Sequence, residues 1–147
     1  MSDLNQSTEN QKRKSKRILI AEPDLDIQYF YSLFTKQYGF STSDVNTVES
    51  GNKCLEIVFS NTEDINNNDY DIIMLDTHLH DISGFEVARK IRNRLPHKKI
   101  ILTTTYSLDN ISNMIGSIGV KSQDVIFKPF SYSDLVSLLK EPGMAYN

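Results

Sequence analysis

Cysteine occurs once in 147 residues, at Cys54. One thiol excludes a disulfide framework and a cysteine-built metal cluster. Inside a helix-like segment it reads as a buried, inert side chain. Also missing is any apolar run near the roughly 20 residues needed to cross a bilayer, and residues 1–10 are polar, without a signal-peptide stretch. These absences make the cytoplasm the expected location, with no membrane contact. Nor is there a strong charge of one sign, since the net charge is −3. It divides unevenly: residues 1–17 hold Lys12, Arg13, Lys14, Lys16 and Arg17 against Asp3 and Glu9. A mildly acidic body behind a basic leader argues against a nucleic-acid-binding domain. A solvated, flexible tail over residues 1–15 is the simplest reading of the leader.

What is present is an ordinary hydrophobic content of 39%, enough for one core in a chain of this length. Four short runs, Arg17–Ala21, Tyr70–Leu75, Lys99–Thr104 and Val125–Phe127, are aliphatic or β-branched and too short for independent helices, so they read as buried strands. A weaker fifth, Thr42–Thr47, suits a sheet edge. Between these runs the apolar period changes to that of a helix. Ile27, Phe30, Tyr31, Phe34 and Tyr38 mark the first helix, stopped at Gly39; Cys54, Leu55, Val58 and Phe59 the second; Phe85, Ala88, Ile91 and Leu95 the third, closed by Pro96. Leu108, Ile111, Ile115 and Ile118 mark a fourth ending at Gly119, and Leu135, Val136 and Leu139 a fifth with Ser131 or Ser133 as N-cap. The order is (βα)5. The expected fold is α/β, a doubly wound five-stranded parallel sheet with helices on both faces. The Asn-rich segment Ser60–Asp69 is a lengthened loop before the third strand.

Ligands of such sheets bind at the carboxyl ends of the strands. Glu22, Pro23 and Asp24 follow the first strand, Asp76 the third, Thr104 and Thr105 the fourth, and Lys128 with Pro129 the fifth. Carboxylates on one rim repel unless a cation intervenes, and an oxygen-rich site of this kind suits Mg²⁺. A hydroxyl and an ammonium beside them would contact phosphoryl oxygens. A central aspartate can act as nucleophile and form an acyl phosphate. Each residue alone has a plainer role, as a turn, cap or loop; their order along the strand ends is what carries the chemistry. The loop after the first strand lacks the Ser/Thr/Gly-rich phosphate cradle of a flavin carrier, and no nucleotide-binding P-loop is present.

With these residues in hand, the sequence resembles the receiver domains of two-component response regulators over about Lys16 to Lys140, through ILIAEPDLDI, DIIMLDTHLHDISGFE, IILTTTY and FKPF. The resemblance implies a flavodoxin-like strand order 2-1-3-4-5 and a receiver domain over residues 16–141, with residues 142–147 as a short tail and no output domain. It makes Asp76 the phosphoacceptor, Thr104 the hydroxyl, Lys128 the lysine and Gly84 the loop glycine. It implies Mg²⁺ held by Glu22, Asp76 and the His78 carbonyl, with Thr77, His78, Thr105 and Tyr106 flanking the phosphoryl site. The implied donor is a histidine kinase or a histidine phosphotransfer protein. The output is a downstream protein target or a phosphorelay, and a homodimer through the fourth and fifth helical region stays open. Such a chain is a switch with self-catalysed phosphotransfer and dephosphorylation, not a conventional enzyme.

Three positions depart from the family pattern. Pro23 stands where the second acid is usual, and Asp24 reads first as an N-cap and second as a ligand turned inward. His80 replaces a usual proline, so the loop after Asp76 is expected to be less constrained; zinc on His78 and His80 is a minor reading. Val125 takes the place of the switch aromatic, with Phe127 and Phe130 reading as packing residues. Arg89, Lys90, Arg92, Arg94, Lys98 and Lys99 make the third helix and its exit basic; the run reads first as a solvated face and second as a partner-docking one. A degenerate receiver that binds partners without phosphate is the alternative Pro23 motivates. The missing acid is expected to weaken Mg²⁺ binding. Calorimetric titration of Pro23→Asp should show affinity rising by about tenfold, and an unchanged affinity would contradict this.

Overall fold

The computed structural model describes residues 16–60 and 70–139. Most of the Ser60–Asp69 loop and both expected tails lie outside the described residues. Five parallel strands, β1 (Ile18–Ala21), β2 (Val45–Val48), β3 (Ile72–Asp76), β4 (Lys99–Thr104) and β5 (Val125–Phe127), form one sheet in the order β2-β1-β3-β4-β5. The helices are α1 (Leu25–Gln37), α2 (Gly51–Phe59), α3 (Gly84–Arg94), α4 (Leu108–Ile118) and α5 (Tyr132–Leu139). The expected (βα)5 alternation and strand order are those observed. Thr42–Asp44 is a short 3₁₀ turn and pairing begins at Val45, so the edge strand lies a few residues later than its sequence suggests.

Each strand alternates between two helix layers, as the period of two requires. Ile18 and Ile20 of β1, Ile72 and Met74 of β3, Ile101 of β4 and Ile126 of β5 pack with Tyr31 and Phe34 of α1 and Leu135 of α5. Leu19, Ala21, Ile73, Leu75, Ile100 and Leu102 pack on the other side with Cys54 of α2, Ile91 of α3 and Ile115 of α4. Cys54 is fully buried, and burial pushes its thiol up to about 12, in keeping with an inert core residue.

Local chemistry sets the helix ends. Asp24 caps α1, accepting from the N–H of Asp26 (2.8 Å) and Ile27 (3.3 Å), a contact worth about 1 kcal/mol. Gly39 and Gly119 adopt positive φ after α1 and α4, where a side chain would be strained. Ser131, not Ser133, caps α5: its Oγ accepts from the Asp134 N–H while Asp134 accepts from the Ser131 N–H.

In the basic run around α3, Arg89, Lys90 and Arg94 are exposed, as a solvated face requires, while Arg92, Lys98 and Lys99 are half-buried. Arg92 donates to the Pro96 and Lys98 carbonyls, closing the helix C-terminus. Arg94 lies over the Phe59 ring, Lys98 donates to the Tyr70 carbonyl, and Lys99 pairs with Asp124.

The loop from β3 to α3 is tied down despite having His80 in place of proline. Asp81 accepts from the N–H of Gly51 (2.9 Å) and Asn52 (2.8 Å) at the start of α2. Its slight burial works against ionisation, but these amides more than offset that and hold its carboxyl below the usual range. Gly84 closes the loop: a Cβ there would overlap the Asp76 carbonyl oxygen and lie 2.9 Å from Thr77 Cα. Gly84→Ala is therefore expected to lose about 1–3 kcal/mol through overpacking against backbone, read as a lower urea midpoint; an unchanged midpoint would show that the loop can yield.

Candidate functional site

The same alternation that builds the core carries on past the strand ends. Glu22 continues the face of Ile18 and Ile20, Asp76 that of Ile72 and Met74, Thr103 that of Ile101, and Lys128 that of Ile126. Four polar side chains therefore cap one apolar layer. Glu22 and Asp76 are 1% and 4% exposed, so neither charge is tolerable unpaired. The Lys128 ammonium answers both: Nζ donates to Glu22 Oε1 at 2.7 Å and to Asp76 Oδ2.

Asp76 is further held by the His78 N–H on Oδ1 (2.7 Å) and by the Thr103 hydroxyl on Oδ2 (3.3 Å). Glu22 Oε2 accepts from the Asp24 N–H at 3.2 Å. Burial raises the Glu22 carboxyl above its ordinary value, against the opposing pull of Lys128 and the Asp24 amide. Burial depresses Lys128, but its bonds and charge contacts with Asp76 and Glu22 win, leaving it raised. The lysine is thus a fixed cation across the neutral range.

Thr104 is fully buried, yet its Oγ1 meets Thr77 Oγ1 (2.8 Å) and the Tyr106 N–H (3.1 Å). The hydroxyl on the carboxylate belongs to Thr103, one residue earlier, a residue the sequence reading passed over. Thr77 is buried, and its Oγ1 lies 3.3 Å from His78 Nδ1. The His78 and Tyr106 rings pack against each other at 4.6 Å, while Thr105 is exposed. Asp24 is exposed and its Oδ1 is committed to the α1 cap, so turning it inward as a ligand would cost the helix that cap. Pro23 offers no donor.

The residues that could hold a divalent cation are Glu22, Asp76 and the His78 carbonyl. Among the described residues no group of three or more His, Cys, Asp or Glu side chains is placed to hold a metal. Two carboxylates nonetheless fit Mg²⁺, which keeps several waters and needs only one or two such ligands. No helix among the described residues is long and apolar enough to cross a membrane.

A buried aspartate at the end of the central strand, with an acid and a lysine beside it on a 2-1-3-4-5 sheet, marks a doubly wound α/β domain whose polar groups meet at the strand-end rim where ligands of such sheets bind. The chain belongs to the response regulator receiver domain family, whose model matches residues 18–140. It is 28% identical over 124 residues to the response regulator ArlR of Staphylococcus saprophyticus, covering 84% of this chain and 50% of that protein. It is likewise 28% identical to the cell cycle response regulator CtrA of Brucella ovis over 121 residues, covering 82% of this chain and 47% of CtrA. The chain thus spans about half the length of the curated relatives it matches. Among solved structures it is similar to TrrA of Thermotoga maritima in complex with Mg²⁺-BeF (TM-score 0.69, 28% identity, 84% of this chain and 96% of that one). A receiver domain protein of Methanospirillum hungatei shares the fold at TM-score 0.70 and 24% identity, covering 86% of this chain and 91% of that one.

Holding a cation here requires ionised Glu22, whose pKa is raised above 4.5. Mg²⁺ affinity should therefore hold at neutral pH and fall on acidification, beginning above the pH at which an ordinary glutamate protonates, by about tenfold per pH unit below it. Calorimetric titration across pH checks this; a profile unchanged in Glu22→Gln would contradict it.

Proposed function

We propose that the chain accepts a phosphoryl group on Asp76 from the phosphohistidine of a kinase or phosphotransfer protein. It then signals by binding a protein target or by passing the group on. The observation that carries this is the buried Asp76 carboxylate, held by the His78 amide, Thr103 and Lys128 beside Glu22. A carboxylate oxygen of Asp76 bonds to phosphorus while the P–N bond breaks, its electron pair staying on the donor imidazole. Lys128 exchanges its carboxylate contact for a phosphoryl oxygen, and Thr104 turns from Thr77 to another. Glu22, Asp76 and the His78 carbonyl would hold Mg²⁺, which when bound offsets charge among the acids and the phosphoryl oxygens. Membership of the family in two-component signalling and the Mg²⁺-BeF complex of TrrA support the reading.

A second reading rests on Pro23 and on a lysine that already pairs with both acids: a receiver that binds partners without taking phosphate. Incubation with acetyl phosphate and Mg²⁺, followed by intact-mass measurement, separates the two. A single phosphate adduct lost in Asp76→Asn supports the phosphoacceptor; no adduct in the wild-type chain supports the second reading.

The His78–Tyr106 stack restricts water at the acyl phosphate. Replacing both by alanine should speed phosphate loss by about tenfold, measured as adduct lifetime after donor removal. An unchanged lifetime would refute the shielding role.

A further inference from the structure

Thr77 follows β3 and Thr104 ends β4. The alternation that turns Asp76 and Thr103 to one layer turns these two side chains to the other. Both are almost wholly buried, at 3% and 0% exposed. There the Thr77 O–H donates to Thr104 Oγ1 at 2.8 Å, and the Tyr106 N–H donates to the same oxygen at 3.1 Å. In this arrangement the Thr104 hydroxyl is committed away from Asp76, whose side-chain oxygens take the His78 N–H, Thr103 and Lys128 instead. Valine has the shape of threonine, so packing alone does not ask for a hydroxyl at position 77. The bond to Thr104 does.

Of the pair, Thr77 is the fixed member. Its N–H donates to the Thr103 carbonyl at 2.9 Å and its carbonyl takes the Gly84 N–H at 3.2 Å. Gly84 lies so close that a Cβ there would come within 2.9 Å of Thr77 Cα. Thr104 is the member whose hydroxyl must turn if it is to meet a phosphoryl oxygen. We propose that Thr77 holds the Thr104 hydroxyl in its resting position, a positioning residue that acts through Thr104 against phosphorylation of Asp76. The inference rests on the Asp76 reading. Once Thr104 has turned, the Thr77 hydroxyl keeps only His78 Nδ1, a 3.3 Å contact to an exposed ring. A buried hydroxyl that trades a short bond for a long one loses free energy. That loss falls on the phosphorylated state alone, so it shifts the equilibrium toward the resting one.

The test measures the phosphorylated fraction by intact mass at limiting acetyl phosphate with Mg²⁺. An Asp76 oxygen bonds to phosphorus there as acetate departs with the electron pair of its P–O bond. Thr77→Val should raise the fraction by about fivefold, and Thr77→Ala should do the same where valine lowers the melting temperature. Thr77→Ser, which keeps the hydroxyl, should match the wild-type chain. In the Thr104→Val background the change at position 77 should have no effect. A second readout needs no phosphate: threonine is labelled with ¹³C at its γ-methyl, and the Thr104 signal is assigned by its loss in Thr104→Val. That signal should shift in Thr77→Val and hold its place in Thr77→Ser. A fraction unchanged in Thr77→Val overturns the proposal, as does a rise that persists in the Thr104→Val background or a Thr104 signal that stays still. No adduct on any of these chains overturns the phosphoacceptor reading; a Thr104 shift would then still uphold the Thr77 restraint, and a still signal would overturn both.

Discussion

The ammonium of Lys128 lies between two carboxylates that the sheet forces together. Glu22 and Asp76 end adjacent parallel strands on the same face, and both are almost wholly buried. Without a cation, each would face the other's charge in a medium far less polarisable than water. A single lysine from the far side of the sheet satisfies both, so the rim can hold its acids ionised. That charge arrangement holds Asp76 oriented with its counter-ion in place, as the proposed nucleophile requires, and it sets what a divalent cation would have to compete with.

Much of this was legible in the strand ends. Glu22, Asp76 and Lys128 extend apolar strands whose period is strict, so their convergence follows from (βα)5 alternation alone. The fold was legible for the same reason: each run is short, apolar and separated by a helical period. What escaped was decided by contacts between elements distant in sequence. A string of threonines at 103, 104 and 105 does not say which hydroxyl meets Asp76. The strand face does, because Thr103 shares it with Ile101 while Thr104 turns to Thr77. The sequence signal was present in the alternation, but the family pattern drew attention to the next residue.

Other readings turn on contacts of the same kind. Half of the basic stretch around α3 is exposed as read, but composition does not reveal the carbonyls that Arg92 meets past the helix end or the Phe59 ring beneath Arg94. The loop after Asp76 reads as loose without proline, yet Asp81 anchors it to the start of α2 and Gly84 closes it against the Asp76 backbone. Asp24, open to two roles in sequence, is settled as a cap by backbone amides two and three residues ahead.

The claim beneath all of this is electrostatic: one lysine pairs with two buried acids at once. Urea denaturation of Lys128→Met, alone and combined with Glu22→Gln, tests it most directly. Removing the cation alone should cost on the order of 3 kcal/mol, and neutralising Glu22 in that background should restore a large part of the loss. If Glu22→Gln gives no recovery, the two carboxylates do not share Lys128 as described, and the account of the site fails.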